Sequence, residues 1–194
     1  MQSNEIDYHK NVILLIGNPN VGKTSIFNQL SRKYAITANY PFTTVELNID
    51  AIKLHGKEFE LIDGAGIYRL ANPSEEGQLT RNIIFKHHPE IILQVIEASN
   101  LGRSLLLTAQ LLELEIPVVI ILNMIDEMVK QGIRVNSRLV SELLEVPVIL
   151  IVEEPAIMVP PVMSRLPAIV WVASARVMVV PERVRLLTEF PSEV

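Results

Sequence analysis

Gly17-Asn18-Pro19-Asn20-Val21-Gly22-Lys23-Thr24 lies between an apolar run at residues 11–16 (NVILLI) and a helical pattern at 23–30 (KTSIFNQL). The octapeptide satisfies G-x-x-x-x-G-K-[ST], and it has the strand-before, helix-after setting that this phosphate-binding motif requires. A polyphosphate is a dense anion, so a loop that holds one must aim several backbone N–H groups at it. Gly17 and Gly22 permit the backbone angles and close approach that this needs. The N-terminus of the following helix adds the positive end of its dipole. Asn18, Pro19, Asn20, Val21, Gly22, Lys23, Thr24 and Ser25 are therefore the expected phosphate contacts. Lys23 is cast to neutralise phosphate charge, and the Thr24 hydroxyl to ligate Mg²⁺.

Working outward, apolar runs alternate with helical patterns. Residues 91–97 and 118–122 read as buried strands, and 101–114 between them carries leucines at helical spacing. Residues 45–54 and 58–62 flank His55-Gly56-Lys57, a natural hairpin turn. A late helix is expected at 135–144 and a last strand at 148–152. The pattern predicts an α/β fold: a mostly parallel six-stranded sheet with helices on both faces. Ligands of such sheets bind beyond the carboxyl ends of the strands, which is where the motifs fall.

The chain has 194 residues, with 17 Lys and Arg against 22 Asp and Glu, a net charge of −5. An acidic balance argues against a nucleic-acid partner, because phosphate backbones are bound by clustered Lys and Arg. The absence of cysteine excludes disulfides, thiolate metal sites and thiol nucleophiles, and fits a reducing, cytoplasmic setting. All eight glycines lie before Val148, while six of the twelve prolines lie after it. Residues 1–10 thus read as an N-terminal tail, 11–152 as the nucleotide-binding domain, and 153–194 as a divergent Pro- and Val-rich segment.

Asn123-Met124-Ile125-Asp126 follows the strand at 118–122 directly. An aspartate there can accept two hydrogen bonds from N1–H and the N2 amine of guanine, which adenine cannot offer. Asn123 would brace the base-binding loops, and Met124 would lie against the base through an apolar stem. Asp63-Gly64-Ala65-Gly66 matches D-x-x-G, in which Asp63 would hold Mg²⁺ through water and the Gly66 N–H would meet the γ-phosphate. Thr44 is the candidate for the second Mg²⁺-ligating hydroxyl, with Thr43 its rival. The order phosphate loop, threonine, D-x-x-G, N-x-x-D is that of a Ras-like GTPase.

Beyond these motifs the chain resembles the N-terminal G domain of the ferrous iron transport protein B (FeoB) family. The similar segments are GNPNVGKTSIFNQL, ANYPFTTVE, DGAGIYRL, EASNLGRSLLLTAQLLE and IPVVIILNMID, together covering about residues 11–149. The resemblance implies a Ras-like fold, Mg²⁺–GTP binding, and slow hydrolysis to GDP and phosphate. For a chain that is part of a full-length transporter, it also implies a membrane permease domain as partner and a place at the cytoplasmic face of the inner membrane. No His, Asp or Glu cluster reads as an iron site, and His87-His88 with Glu90 reads as a solvated loop.

Ras orients its attacking water with a glutamine shortly after D-x-x-G. Here Ile67-Tyr68-Arg69-Leu70 follows, with no carboxamide, and the resemblance implies instead that Asn20 helps bind K⁺ against the phosphates. Asn20, Lys23, Thr44 and Gly66 are accordingly the expected catalytic set, while Arg69 and Arg81 read as surface arginines. Three departures from the family stand out. Its D-L-P-G is Asp63-Gly64-Ala65-Gly66, and its W-P-G is Tyr40-Pro41-Phe42. Its base-capping S-A pair, expected after residue 152, has its letters only at Ser174-Ala175. Two other readings share the motifs: a nucleotide-binding switch with negligible hydrolysis, and a potassium-type GTPase of tRNA modification or ribosome assembly.

Overall fold

The computed structural model describes residues 11–31, 36–39, 46–54 and 56–151. The tail at 1–10 and the Pro- and Val-rich segment at 153–194 lie outside the described residues. In chain order the described residues form β1 (Asn11–Gly17), α1 (Lys23–Leu30), β2 (Ile36–Asn39), β3 (Glu46–Leu54), β4 (Lys57–Gly66) and α2 (Glu75–His87). There follow β5 (Ile91–Glu97), a 3₁₀ turn (Ala98–Asn100), α3 (Leu101–Leu112), β6 (Val118–Asn123), α4 (Ile125–Lys130), α5 (Ser137–Leu144) and β7 (Val148–Leu150). One sheet runs in the order β2-β3-β4-β1-β5-β6-β7. The five strands from β4 to β7 in that order pair in parallel, and the β2-β3-β4 edge is antiparallel.

All six expected strands are present, and a short seventh, β2, extends the antiparallel edge. The runs that form β1, β5 and β6 lack polar alternation because both of their faces are covered. On one face Val12, Leu14 and Ile16 meet Leu79 and Ile83 of α2, Leu107 and Leu111 of α3, and Ile125 of α4. On the other, Ile13 and Leu15 meet Ile26 and Phe27 of α1. Each fully buried side chain of this kind contributes about 2 kcal/mol. Helices thus cover both faces, as the alternation of patterns predicts.

Two local features depart from the sequence reading. His87 closes α2 and is buried rather than solvated, and Glu90 accepts from Lys57 Nζ at 2.8 Å. Arg81 is not a free surface arginine. Its guanidinium donates to the carbonyls of Leu70 and Asn72, the latter at 2.7 Å, and so fixes the segment after D-x-x-G.

Candidate functional site

The octapeptide forms the turn from the carboxyl end of β1 into α1. Gly22 caps the helix with φ 86°, and Asn20 also has positive φ, 64°. A Cβ on Gly17 would lie 2.2 Å from the Val95 carbonyl oxygen, so that position admits no side chain. Asn18 is buried, Pro19 and Asn20 are exposed, and Val21 is inserted into the α1-side core. Thr24 and Ser25 stand exposed on the first turn of α1.

Lys23 folds back over the loop and donates from Nζ to the Asn18 carbonyl at 3.1 Å. The side chain is buried, which holds its pKa below the ordinary lysine value, and the nearby Asp63 carboxylate opposes that shift. A buried ammonium bonded to one carbonyl is under-solvated, and an anion in the loop would relieve that cost.

Asp63 reaches the same place from β4. Its Oδ2 accepts from Thr24 Oγ1 at 2.7 Å and from Asn48 Nδ2 at 3.3 Å, while buried Oδ1 has no hydrogen-bond partner among the described residues. A hydroxyl, a carboxylate and an unsatisfied buried carboxylate oxygen suit a hard divalent cation with oxygen ligands. The residues present therefore fit Mg²⁺.

The path of β4 explains the D-x-x-G spacing. Leu15 of β1 pairs with Asp63, and Gly17 pairs with Gly66, so β4 uses one residue more than β1 over this step. Strict alternation would put residues 63 and 66 on opposite faces; the bulge lets both meet the loop. A Cβ on Gly66 would lie 3.0 Å from Pro19 Cα, and one on Gly64 would lie 2.3 Å from the Leu15 carbonyl oxygen. Gly64 therefore needs glycine for close backbone approach, and Gly66 is tight against Pro19.

Asn123 ends β6 and donates from Nδ2 to the Val21 carbonyl at 3.0 Å, tying the second motif to the first across 102 residues. Met124 turns the chain with φ 58°, and its Cε lies 4.0 Å from the Cβ position of Gly22. Asp126 sits in the first turn of α4, where its carboxylate accepts a long contact of 3.5 Å from Lys130. Such an exposed pair is weak and easily exchanged for a ligand.

The structure therefore brings together the phosphate-loop residues, Asp63, Gly66, Asn123, Met124 and the start of α4. Thr43, Thr44, Ser174 and Ala175 lie outside the described residues. Ile67 is buried in the core, its N–H donating to the Gly17 carbonyl at 3.0 Å. The Leu70 N–H donates to Gln110 Oε1 of α3 at 2.7 Å, and Arg103 of α3 lies over the Tyr68 ring at 5.1 Å. Asn48, Arg103 and Gln110 carry no motif signal, because only the folded sheet brings them to the site. Among the described residues no group of three or more His, Asp or Glu could hold a metal ion, and no helix is long and apolar enough to cross a membrane.

Comparison with known proteins gives a consistent result. The FeoB Fe(2+) transporter of Escherichia coli K12 is 40% identical over 144 residues, which is 72% of this chain and 19% of the relative. A FeoA–FeoB fusion protein of Porphyromonas gingivalis is 39% identical over 138 residues, 71% of this chain and 16% of the relative. The chain thus spans about a fifth of the length of these curated relatives. Among solved structures, a GDP-bound point mutant of S. thermophilus NFeoB superposes with a TM-score of 0.68 at 40% identity. That match covers 73% of this chain and 55% of the other. The G domain of T. maritima FeoB gives 0.66 at 31% identity, covering 73% and 87%. A family model described as ferrous iron transport protein B matches residues 11–164, and the chain belongs to that family.

Proposed function

We propose that this chain is a GTP-binding and GTP-hydrolysing G domain that regulates a ferrous iron transporter from the cytoplasmic side of the membrane. The observation that carries the reading is the cluster of Lys23, Thr24 and Asp63, in which a buried ammonium and a half-satisfied buried carboxylate share the mouth of the phosphate loop. The relatives support it: they are Fe(2+) transporters in which this region is a minor part, and the S. thermophilus structure binds GDP.

In this reading residues 18–25 cradle the phosphates, all but Pro19 through backbone N–H groups, and Lys23 neutralises the charge between them. Thr24 and Asp63 would hold Mg²⁺, Asp63 through water, and Thr44 would be a further ligand. Bound there, the ion would neutralise charge on the β- and γ-phosphate oxygens. The Gly66 N–H faces the γ-phosphate. Asp126 selects guanine, Asn123 fixes the distance between base and phosphate subsites, and Met124 packs beside the base. Asn20, which is exposed and has its backbone in the left-handed region, would give its side-chain oxygen to K⁺. A monovalent cation there would offset charge developing on the transferring phosphoryl group.

The test is titration with labelled GTP, GDP and ATP, with and without Mg²⁺, beside a phosphate-release assay in KCl and in NaCl. Guanine nucleotides should bind and ATP should not. Lys23→Ala should abolish binding, and Asp126→Asn should shift preference toward xanthine nucleotides. No binding of GTP or GDP by folded protein would overturn the proposal. Equal turnover in the two salts would remove K⁺ alone, and binding without phosphate release would leave a binding-only switch.

A further inference from the structure

Besides the bond from Thr24 to Asp63, three contacts anchor the phosphate loop among the described residues, and one of these three joins two side chains. The Gly17 carbonyl accepts from Ile67 N–H, and the Val21 carbonyl accepts from Asn123. Between them the Asn18 side chain turns inward, and Nδ2 donates to Ser104 Oγ of α3 at 3.0 Å. Both residues are buried, Asn18 at 5% exposure and Ser104 at 2%. The Ser104 hydroxyl spends its proton on the Asn100 carbonyl at 3.2 Å, which leaves its lone pairs to accept from Asn18. The Asn18 carbonyl in turn accepts from Lys23 Nζ. A continuous series of contacts thus runs from the first turn of α3 through Ser104 and Asn18 to the Lys23 ammonium.

We propose that Ser104 is a positioning residue for the phosphate loop, acting through Asn18 on Lys23. The inference rests on the nucleotide-binding reading above and adds a support from α3 to it. The neighbouring residue, Arg103, lies over the ring of Tyr68, and Gln110 of the same helix accepts from Leu70 N–H. One helix therefore sets the phosphate loop and the segment after Gly66 in register with each other. Without the Ser104 hydroxyl the Asn18 amide is buried and unpaired. The loop then spends part of its time in shapes that do not cradle phosphate, and apparent affinity falls by that fraction.

A serine that merely packs α3 would look similar in a stability measurement, and Thr108 supplies the control. Thr108 is fully buried one turn further along α3, and its Oγ1 donates within the helix, to the Ser104 carbonyl at 3.2 Å. Removing one buried hydrogen bond corresponds to roughly a tenfold change in an equilibrium constant. Ser104→Ala should therefore raise the dissociation constant for Mg²⁺–GDP about tenfold, whereas Ser104→Thr, which keeps the hydroxyl, should stay within about twofold of wild type. Thr108→Val should lower the unfolding midpoint and leave GDP affinity unchanged. Should Ser104→Ala fail to fold, Asn18→Ala removes the same bond from the loop side and should give the same rise. The double variant should bind no more weakly than the weaker single. Wild-type affinity in Ser104→Ala, an equal loss in Thr108→Val, or additive losses in the double variant would each overturn the proposal. Failure of the underlying reading looks different: wild type and Lys23→Ala would then bind GDP alike.

Discussion

Gly22→Ala tests the geometry of the loop where it meets Asn123. Gly22 has φ 86°, and a Cβ built there lies 2.4 Å from Asn123 Nδ2, the atom that donates to the Val21 carbonyl. Two costs follow. An alanine held in the left-handed region loses about 1–2 kcal/mol. The Asn123 amide must also swing away and give up its bond, worth about 1 kcal/mol. The sum is about 2–3 kcal/mol, which is roughly a hundredfold in the folded-to-unfolded ratio. Urea unfolding without nucleotide measures it directly. Asn123→Ala separates the two costs, because the obstructing amide is then gone and only the backbone strain of Gly22→Ala remains. The cost of Gly22→Ala should fall by about 1 kcal/mol in that background. A full cost in both backgrounds, or a loss below about 0.5 kcal/mol in wild type, would refute the reasoning.

Lys23→Met should stabilise the nucleotide-free protein by about 1 kcal/mol, because a buried, poorly solvated ammonium is replaced by an apolar chain. The same variant should lose the thermal stabilisation that GDP gives wild type; melting curves with and without GDP report both effects. Asp63→Asn should make GDP release insensitive to Mg²⁺, measured as equal dissociation rates of labelled GDP in Mg²⁺ and in EDTA, where wild type differs. His87 supplies a pH dependence. Burial first, and the Lys86 charge second, hold its pKa below the ordinary 6.5, so the neutral ring is the folded form. The unfolded chain takes up the proton first as pH falls. Stability is therefore fully present above 6.5 and declines toward the folded value, with a slope of up to about 1.4 kcal/mol per pH unit. His87→Gln should flatten that limb of the stability profile, and an unchanged slope would exclude His87 as its source.

Whether a feature is legible in the sequence depends on how local it is. The strand, loop and helix around Lys23 are readable because glycine spacing and apolar runs specify them within about twenty residues. Asp63, Asn123 and Asp126 are readable because each lies near the carboxyl end of a buried strand, at the ligand edge of a mostly parallel sheet. β2 is not, since ITAN is short and lacks alternation, and it forms by antiparallel pairing with β3. α2 is not among the helices read from the sequence, and it holds Gly77 in its first turn. A Cβ there would lie 2.3 Å from the Asn72 carbonyl oxygen, so the glycine serves close packing inside a helix capped by Ser74. Asn48 beside Asp63, Ser104 beneath Asn18 and Arg103 over Tyr68 are silent for a different reason. Each acts through one contact across the fold, and a lone Asn, Ser or Arg announces none of them.

The bulge that carries Asp63 and Gly66 to the loop has a consequence for anyone redesigning this domain. At position 64 the family commonly carries leucine, and swapping rare residues for common ones is an ordinary route to sturdier variants. In this chain the strand runs so near its neighbour at Gly64 that even one added carbon would collide with main chain. Glycine and strand path are a matched pair, and a side chain placed there without a change of path would displace the edge that carries Asp63 and Gly66. At that residue the local backbone, and not the commoner letter, decides what fits.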